Sequence, residues 1–138
     1  MPESNLTKKA LADSLKKQLA HLPFNKITVT DICQECGMHR QSFYYHFKDK
    51  YELVNWIFNE EFIDFVNNNV NHKENWSFLE DICQYFYDNR NFYQKVLMVE
   101  EQNSFSEYFS QFLQKIFYQC LKNILTENTH LDFYIHFY

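Results

Sequence analysis

Between residues 28 and 50 the sequence gathers side chains suited to reading or gripping a polyanion: Thr28, Thr30, His39, Arg40, Gln41, Ser42, Tyr44, Tyr45, His46 and Lys50. Arg matches guanine edges and Gln matches adenine edges in a major groove, while Tyr, His and Lys suit phosphate oxygens. His46 has a structural alternative, a ring that caps local backbone, and Lys50 has one as a solvated surface lysine.

Rival chemistries in the chain are weaker. Cys33-Gln34-Glu35-Cys36 followed by His39 has the two-residue cysteine spacing of half a zinc site. A second strong ligand pair is missing, because Cys83 and Cys120 are far away in sequence, so small buried thiols are the expected role and no metal or other cofactor is expected. A reversible redox switch at the pair has nothing else to support it. The acidic pairs Glu60, Glu61 and Glu100, Glu101 are neighbours that point apart on a helix, and neither a nucleophile nor a phosphate loop accompanies them. No enzyme is expected.

The elements that must position the polyanion-reading set are short. Thr28 is placed to cap a helix over residues 29–36, with Asp31 in its first turn. Gly37, the one glycine of the 138 residues, then supplies a turn in which positive φ is allowed. A second short helix over residues 40–47 carries Phe43 and Phe47 four apart as a buried pair flanked by Tyr44. Two short helices packed steeply about a turn need small side chains at their crossing, and Cys33 and Cys36 meet that need. Met38, Phe43 and Phe47 pin the second helix to the core, which leaves His39, Arg40, Gln41, Ser42, Tyr45 and His46 on outward or flanking faces.

Around this pair the apolar spacing predicts a helix over residues 6–21 ended by Pro23, and a long one over 50–68 that fades into the polar run through Asn71, His72 and Lys73. Ser77 with Glu80 and Ser104 with Glu107 are capping-box patterns expected to open later helices, and the polar cluster at 88–91 separates a shorter helix containing Phe92, Tyr93, Val96 and Leu97. Phe105 to Leu125 shows the strongest periodicity, read as core or subunit interface. Trp56, Phe62, Trp76, Phe86, Tyr93 and Phe112 are candidates to line an apolar effector pocket, against the simpler role of ordinary core.

Composition agrees with an all-α chain, since one Gly and two Pro leave almost nothing to punctuate hairpins. Net charge is −5, which alone disfavours a nucleic-acid partner. The distribution reverses that inference at one end: residues 1–50 hold eight basic and five acidic side chains, and residues 51–138 hold five basic and thirteen acidic. No stretch has the layout of a signal peptide or approaches the ~18 apolar residues of a membrane span, so a cytoplasmic location with reduced cysteines and no membrane partner is expected. Residues 131–138 are apolar and lack a polar tail, which suggests a missing C-terminal part, the alternative being that they dock as a last short helix.

Thr28-Val29-Thr30-Asp31-Ile32, then Gly37, then Ser42-Phe43-Tyr44-Tyr45-His46-Phe47-Lys48-Asp49-Lys50 with Leu53 resemble the TetR/AcrR family of bacterial regulators over about the first 55 residues. The resemblance implies a three-helix DNA-binding head, here residues 1–50, on a helical ligand-binding and dimerisation body, here 51–138 and C-terminally incomplete. It implies base or near-base contacts from Arg40, Gln41 and Tyr44, and phosphate contacts from Thr30, Tyr45, His46 and Lys50. His39 departs from the Ser or Thr that usually caps the recognition helix, and Cys33 and Cys36 replace small alanines. Residues 85–96, with Asp88-Asn89-Arg90-Asn91-Phe92-Tyr93, resemble a subgroup that includes regulators of dihydroxyacetone kinase operons, one of which activates through a protein partner. The expectation is therefore a homodimer on a double-stranded operator, controlled by a small-molecule or protein effector. The alternative from another class is a protein-interaction module or co-regulator with little DNA affinity of its own.

Overall fold

The computed structural model describes residues 2–69, 76–97 and 103–127; no strand occurs among them. Helix α1 spans Pro2–Leu19 and a single 3-10 turn, Phe24–Lys26, leads to α2, Val29–Cys36. Helix α3 is Arg40–His46. Helix α4, Lys50–Ile57, runs through a π-helical turn, Phe58–Ile63, into α5, Asp64–Asn69. Helices α6, α7 and α8 are Trp76–Asp88, Arg90–Leu97 and Asn103–Glu127. The polar residues 71–73, the pair Glu100, Glu101 and the apolar stretch 131–138 lie outside the described residues.

The fourfold spacing of Leu11, Leu15 and Leu19 puts all three on one face of α1, where each is fully buried. That face packs on α2, and Ser14, the one buried polar side chain among the described residues, donates from Oγ to the Ile32 carbonyl at 2.6 Å. Gln18 Nε2 donates to the Asp31 carbonyl at 3.1 Å. These two bonds set the register of α1 against α2, because a one-turn slip would leave a buried hydroxyl without a partner.

Helix α1 begins four residues before the expected start and stops two before the expected end. Proline needs no N–H partner in a first turn, which lets the helix begin at Pro2. At the far end the Leu22 N–H bonds to the Gln18 carbonyl at 2.9 Å, so the chain has already turned before Pro23. Ser77 and Ser104 stand inside α6 and α8 rather than ahead of them, which corrects the two capping boxes expected there. A capping residue needs extended backbone, and both serines are helical.

One continuous core joins the first three helices to the rest. Leu53, Val54, Ile57, Phe58 and Phe62 from α4 and the π turn are fully buried with Phe43 and Ile32 on one side and Val96 on the other. The candidate pocket residues divide. Phe62, Phe86, Tyr93 and Phe112 meet in a packed aromatic cluster, with ring centres 4.8 Å apart for Phe62 and Phe86 and 5.8 Å for Phe62 and Phe112. Trp56 instead packs its ring against Phe47, and Trp76 is 59% exposed. Inside the cluster the Tyr85 and Tyr93 hydroxyls bond to each other at 2.9 Å, and burial pushes both phenols up, Tyr85 to about 12. Each therefore stays neutral and serves as a hydrogen-bonding hydroxyl within the stack.

Candidate nucleic-acid interface

The interface is built around Gly37. Its φ of 70° and ψ of 30° are left-handed, and its N–H closes α2 on the Cys33 and Gln34 carbonyls. The Met38 N–H adds a bond to the Cys33 carbonyl at 2.9 Å. Open space surrounds the position where a Cβ would stand, so the backbone conformation and not crowding calls for glycine. At the other end of α2 the Thr28 hydroxyl accepts the Asp31 N–H at 3.1 Å while the Asp31 carboxylate accepts the Thr28 N–H at 3.0 Å. This reciprocal box fixes where α2 starts.

Helix α3 is held by Phe43 and Phe47, whose rings lie 5.6 Å apart and are almost entirely buried. With those two positions inward, helical geometry sends 41 and 45 outward and puts 44 on the flank, while Arg40, on the same side as Phe43, is open because α3 begins there. Arg40 and Gln41 are exposed, and Tyr44 and Tyr45 are 48% and 84% exposed. The Arg40 guanidinium lies 5.8 Å from the centre of the Tyr44 ring one turn on, a cation–π pair on the surface. Thr30, Gln34, His39, Arg40 and Gln41 line an open groove of about 570 Å³ between α2 and α3, with Cys33 and Met38 in its lining.

His39 precedes α3 with extended backbone, and its imidazole makes no capping bond. The Ser42 N–H instead reaches the His39 carbonyl at 3.0 Å. Ser42 is half-buried at the edge of the face. His46 is also half-buried, with the Tyr45 ring edge-on to it at 5.0 Å. Burial, and then the nearby Lys8 charge, lower its pKa from the ordinary 6.5, so the neutral ring is favoured at pH 7. As a phosphate contact it acts as a neutral donor.

Lys50 is placed differently from the rest. Its ammonium is turned inward onto the Phe24 and Ile27 carbonyls, both at 2.7 Å. Asp49 caps α4 by accepting the Glu52 N–H at 2.9 Å, and Glu52 accepts the N–H of Lys48, one residue ahead of the cap, at 3.2 Å. The sequence reading missed Gln34 and Lys8. A helix-wheel count on α2 places Gln34 beside Thr30, whereas the approach of Lys8 to His46 depends on how α1 crosses α3.

Cys33 is buried and its thiol is pushed up by burial and by Cys36. Burial also raises the Cys36 thiol, which donates to the Ile32 and Cys33 carbonyls at 3.3 and 3.6 Å. Both are protonated packing residues, ill-suited to holding a metal as thiolates. Among the described residues, no three His, Cys, Asp or Glu side chains gather where they could hold a metal ion.

A short helix locked to a core behind a left-handed glycine, its outer face open and a helical body behind it, defines a helix-turn-helix protein. Residues 11–57 match the family described as bacterial regulatory proteins, tetR family, and residues 74–138 match a transcriptional regulator C-terminal region. The chain belongs to the tetR family. It is 31% identical over 101 residues to the HTH-type dhaKLM operon transcriptional activator DhaS of Lactococcus lactis subsp. lactis (strain IL1403), covering 73% of this chain and 54% of that protein. The solved structure of a dihydroxyacetone kinase operon activator DhaS superposes with a TM-score of 0.64 at 26% identity, over 83% of this chain and 64% of the other. The chain thus spans little more than half the length of that curated relative. No helix among the described residues is long and apolar enough to cross a membrane.

Proposed function

We propose that the chain is a sequence-specific DNA-binding transcriptional regulator, with residues 1–50 as the DNA-binding head and 51–138 as the regulatory and dimerisation body. The observation that carries this is the outward face of α3, where Arg40, Gln41 and Tyr44 stand free while Phe43 and Phe47 hold the helix to the core. Arg40 and Gln41 read base edges, Tyr44 steadies Arg40 and reaches the groove wall, and Thr28, Thr30, His39, Ser42, Tyr45 and His46 approach the backbone.

Two heads of a cytoplasmic homodimer would sit in successive major grooves of a near-palindromic operator. The likeness to DhaS favours control of an operon by an effector acting on the body, whether a small molecule or a protein. Such control requires the effector to prefer one head arrangement over the other, typically by ~1–3 kcal/mol.

The test is binding of the purified chain to the DNA upstream of its own coding sequence, against a scrambled duplex, with Arg40→Ala alongside. The expected result is selective binding that loses about 1–3 kcal/mol of discrimination in the variant. Weak binding that is blind to sequence and indifferent to Arg40→Ala overturns the proposal in favour of a partner-docking module.

A further inference from the structure

The groove between α2 and α3 has two walls. Arg40 and Gln41 stand on the α3 side, and Thr30 and Gln34, one helical turn apart, stand on the α2 side, where Gln34 is exposed. The Gln34 carbonyl accepts the Gly37 N–H at 3.3 Å, so the left-handed turn that ends α2 also fixes the backbone from which the carboxamide projects. Among the described residues that carboxamide has no hydrogen-bond partner, and neither has the carboxamide of Gln41 across the groove. Two primary amides from different helices therefore line one space with their donors and acceptors unspent.

The same space has an apolar floor, formed by buried Cys33 and half-buried Met38. No acidic side chain lines it. Glu35, in the last turn of α2, lines a separate hollow of about 390 Å³ with Lys17 and His21. A phosphate oxygen only accepts, so it would use half of a carboxamide and set a charged group against the apolar floor. An adenine edge offers the N7 acceptor and the N6 donor together, which complements both halves of the amide. The thymine paired with it presents a methyl group that an apolar surface can cover.

We propose that Gln34 is a specificity-determining residue of the DNA-binding head, reading from α2 the adenine of an A·T pair beside the pairs read by Arg40 and Gln41, with the thymine methyl against Met38 and Cys33. The proposal deepens the DNA-binding reading and rests on it. It gives α2 a share in base readout, and it requires one A·T position in each half-site whose preference does not come from α3.

The experiment uses the full chain and the DNA upstream of its own coding sequence. Footprinting locates the protected half-site, and a set of short duplexes then replaces each of its base pairs in turn. Affinities are compared at one salt concentration for the natural chain, Gln34→Ala and Gln34→Glu, with circular dichroism to show that each is folded. The expected result is one A·T position where replacement weakens the natural chain about fivefold or more and leaves Gln34→Ala almost unaffected, the other positions keeping their preferences. Beyond a uniform loss from its charge, Gln34→Glu should move the preference at that position from adenine to cytosine, whose N4 donates to a carboxylate. The natural chain supplies a check that needs no variant: deoxyuridine in place of that thymine removes only the methyl group and should weaken binding about threefold.

A loss in Gln34→Ala spread evenly over all the duplexes marks a backbone contact and overturns the proposal. An unchanged profile overturns it as well, since Gln34 is then a solvated surface residue. Indifference to deoxyuridine at every thymine of the half-site refutes the apolar contact. A natural chain that prefers no position fails at the DNA-binding reading itself, an outcome distinct from a profile in which Arg40 and Gln41 still select and Gln34 does not.

Discussion

His46 shows how a single side chain in the interface ties stability to pH. Its pKa is lowered in the folded protein, so the folded state holds fewer protons than the unfolded chain once pH falls toward the ordinary 6.5. Its contribution is therefore full above that value and is lost as pH drops through the lowered folded pKa. Melting temperatures at pH 7.5 and 5.5 should fall further apart for the natural chain than for His46→Gln, and equal differences would refute the assignment. Residue types alone selected the polar face of α3 because its alternation with Phe43 and Phe47 is local. They could not place Lys50, whose partners are 23 and 26 residues away, nor Lys8, whose influence on His46 passes between helices.

Among the elements, α2 was legible to the residue and α3 to within one at its end, since a capping threonine, a glycine and an inward phenylalanine pair are short-range signals. The π turn at Phe58–Ile63 was not legible: apolar spacing in that stretch fits an ordinary helix, and neither Pro nor Gly marks it. What holds the turn is tertiary. Phe62 is fully buried there and its ring meets Phe58 at 5.3 Å, Tyr85 at 5.3 Å and Phe86 at 4.8 Å. Phe62→Ala would leave a cavity where α6 and α8 converge on the turn, at a cost of about 3–5 kcal/mol. Urea unfolding followed by circular dichroism measures this; a loss under about 1 kcal/mol would mean that the cluster collapses freely around the gap.

At the scale of the molecule, the first fifty residues are basic in balance and the rest acidic, and lysines fasten α1 to the π turn and to α7. Lys16 of α1 pairs with Glu61 of the π turn and lies 5.8 Å from the centre of the Phe92 ring in α7. Lys95 of α7 donates to the Leu19 carbonyl at the end of α1, where the helix dipole is negative. The Lys16–Glu61 pair is about a third exposed at each end, so a double-mutant cycle of Lys16→Met and Glu61→Gln should return a coupling of only about 0.2–1 kcal/mol. A coupling near zero would mean that this ion pair adds nothing to the attachment. Trp56 lies in α4. Its indole is half-buried and packs on Phe47, at the foot of the recognition helix, with ring centres 6.1 Å apart, while the second tryptophan, Trp76, is 59% open to water. The chain thus carries a native fluorophore at the seat of its recognition helix, whose emission can be separated from its solvent-exposed counterpart by an aqueous quencher and followed with no label attached.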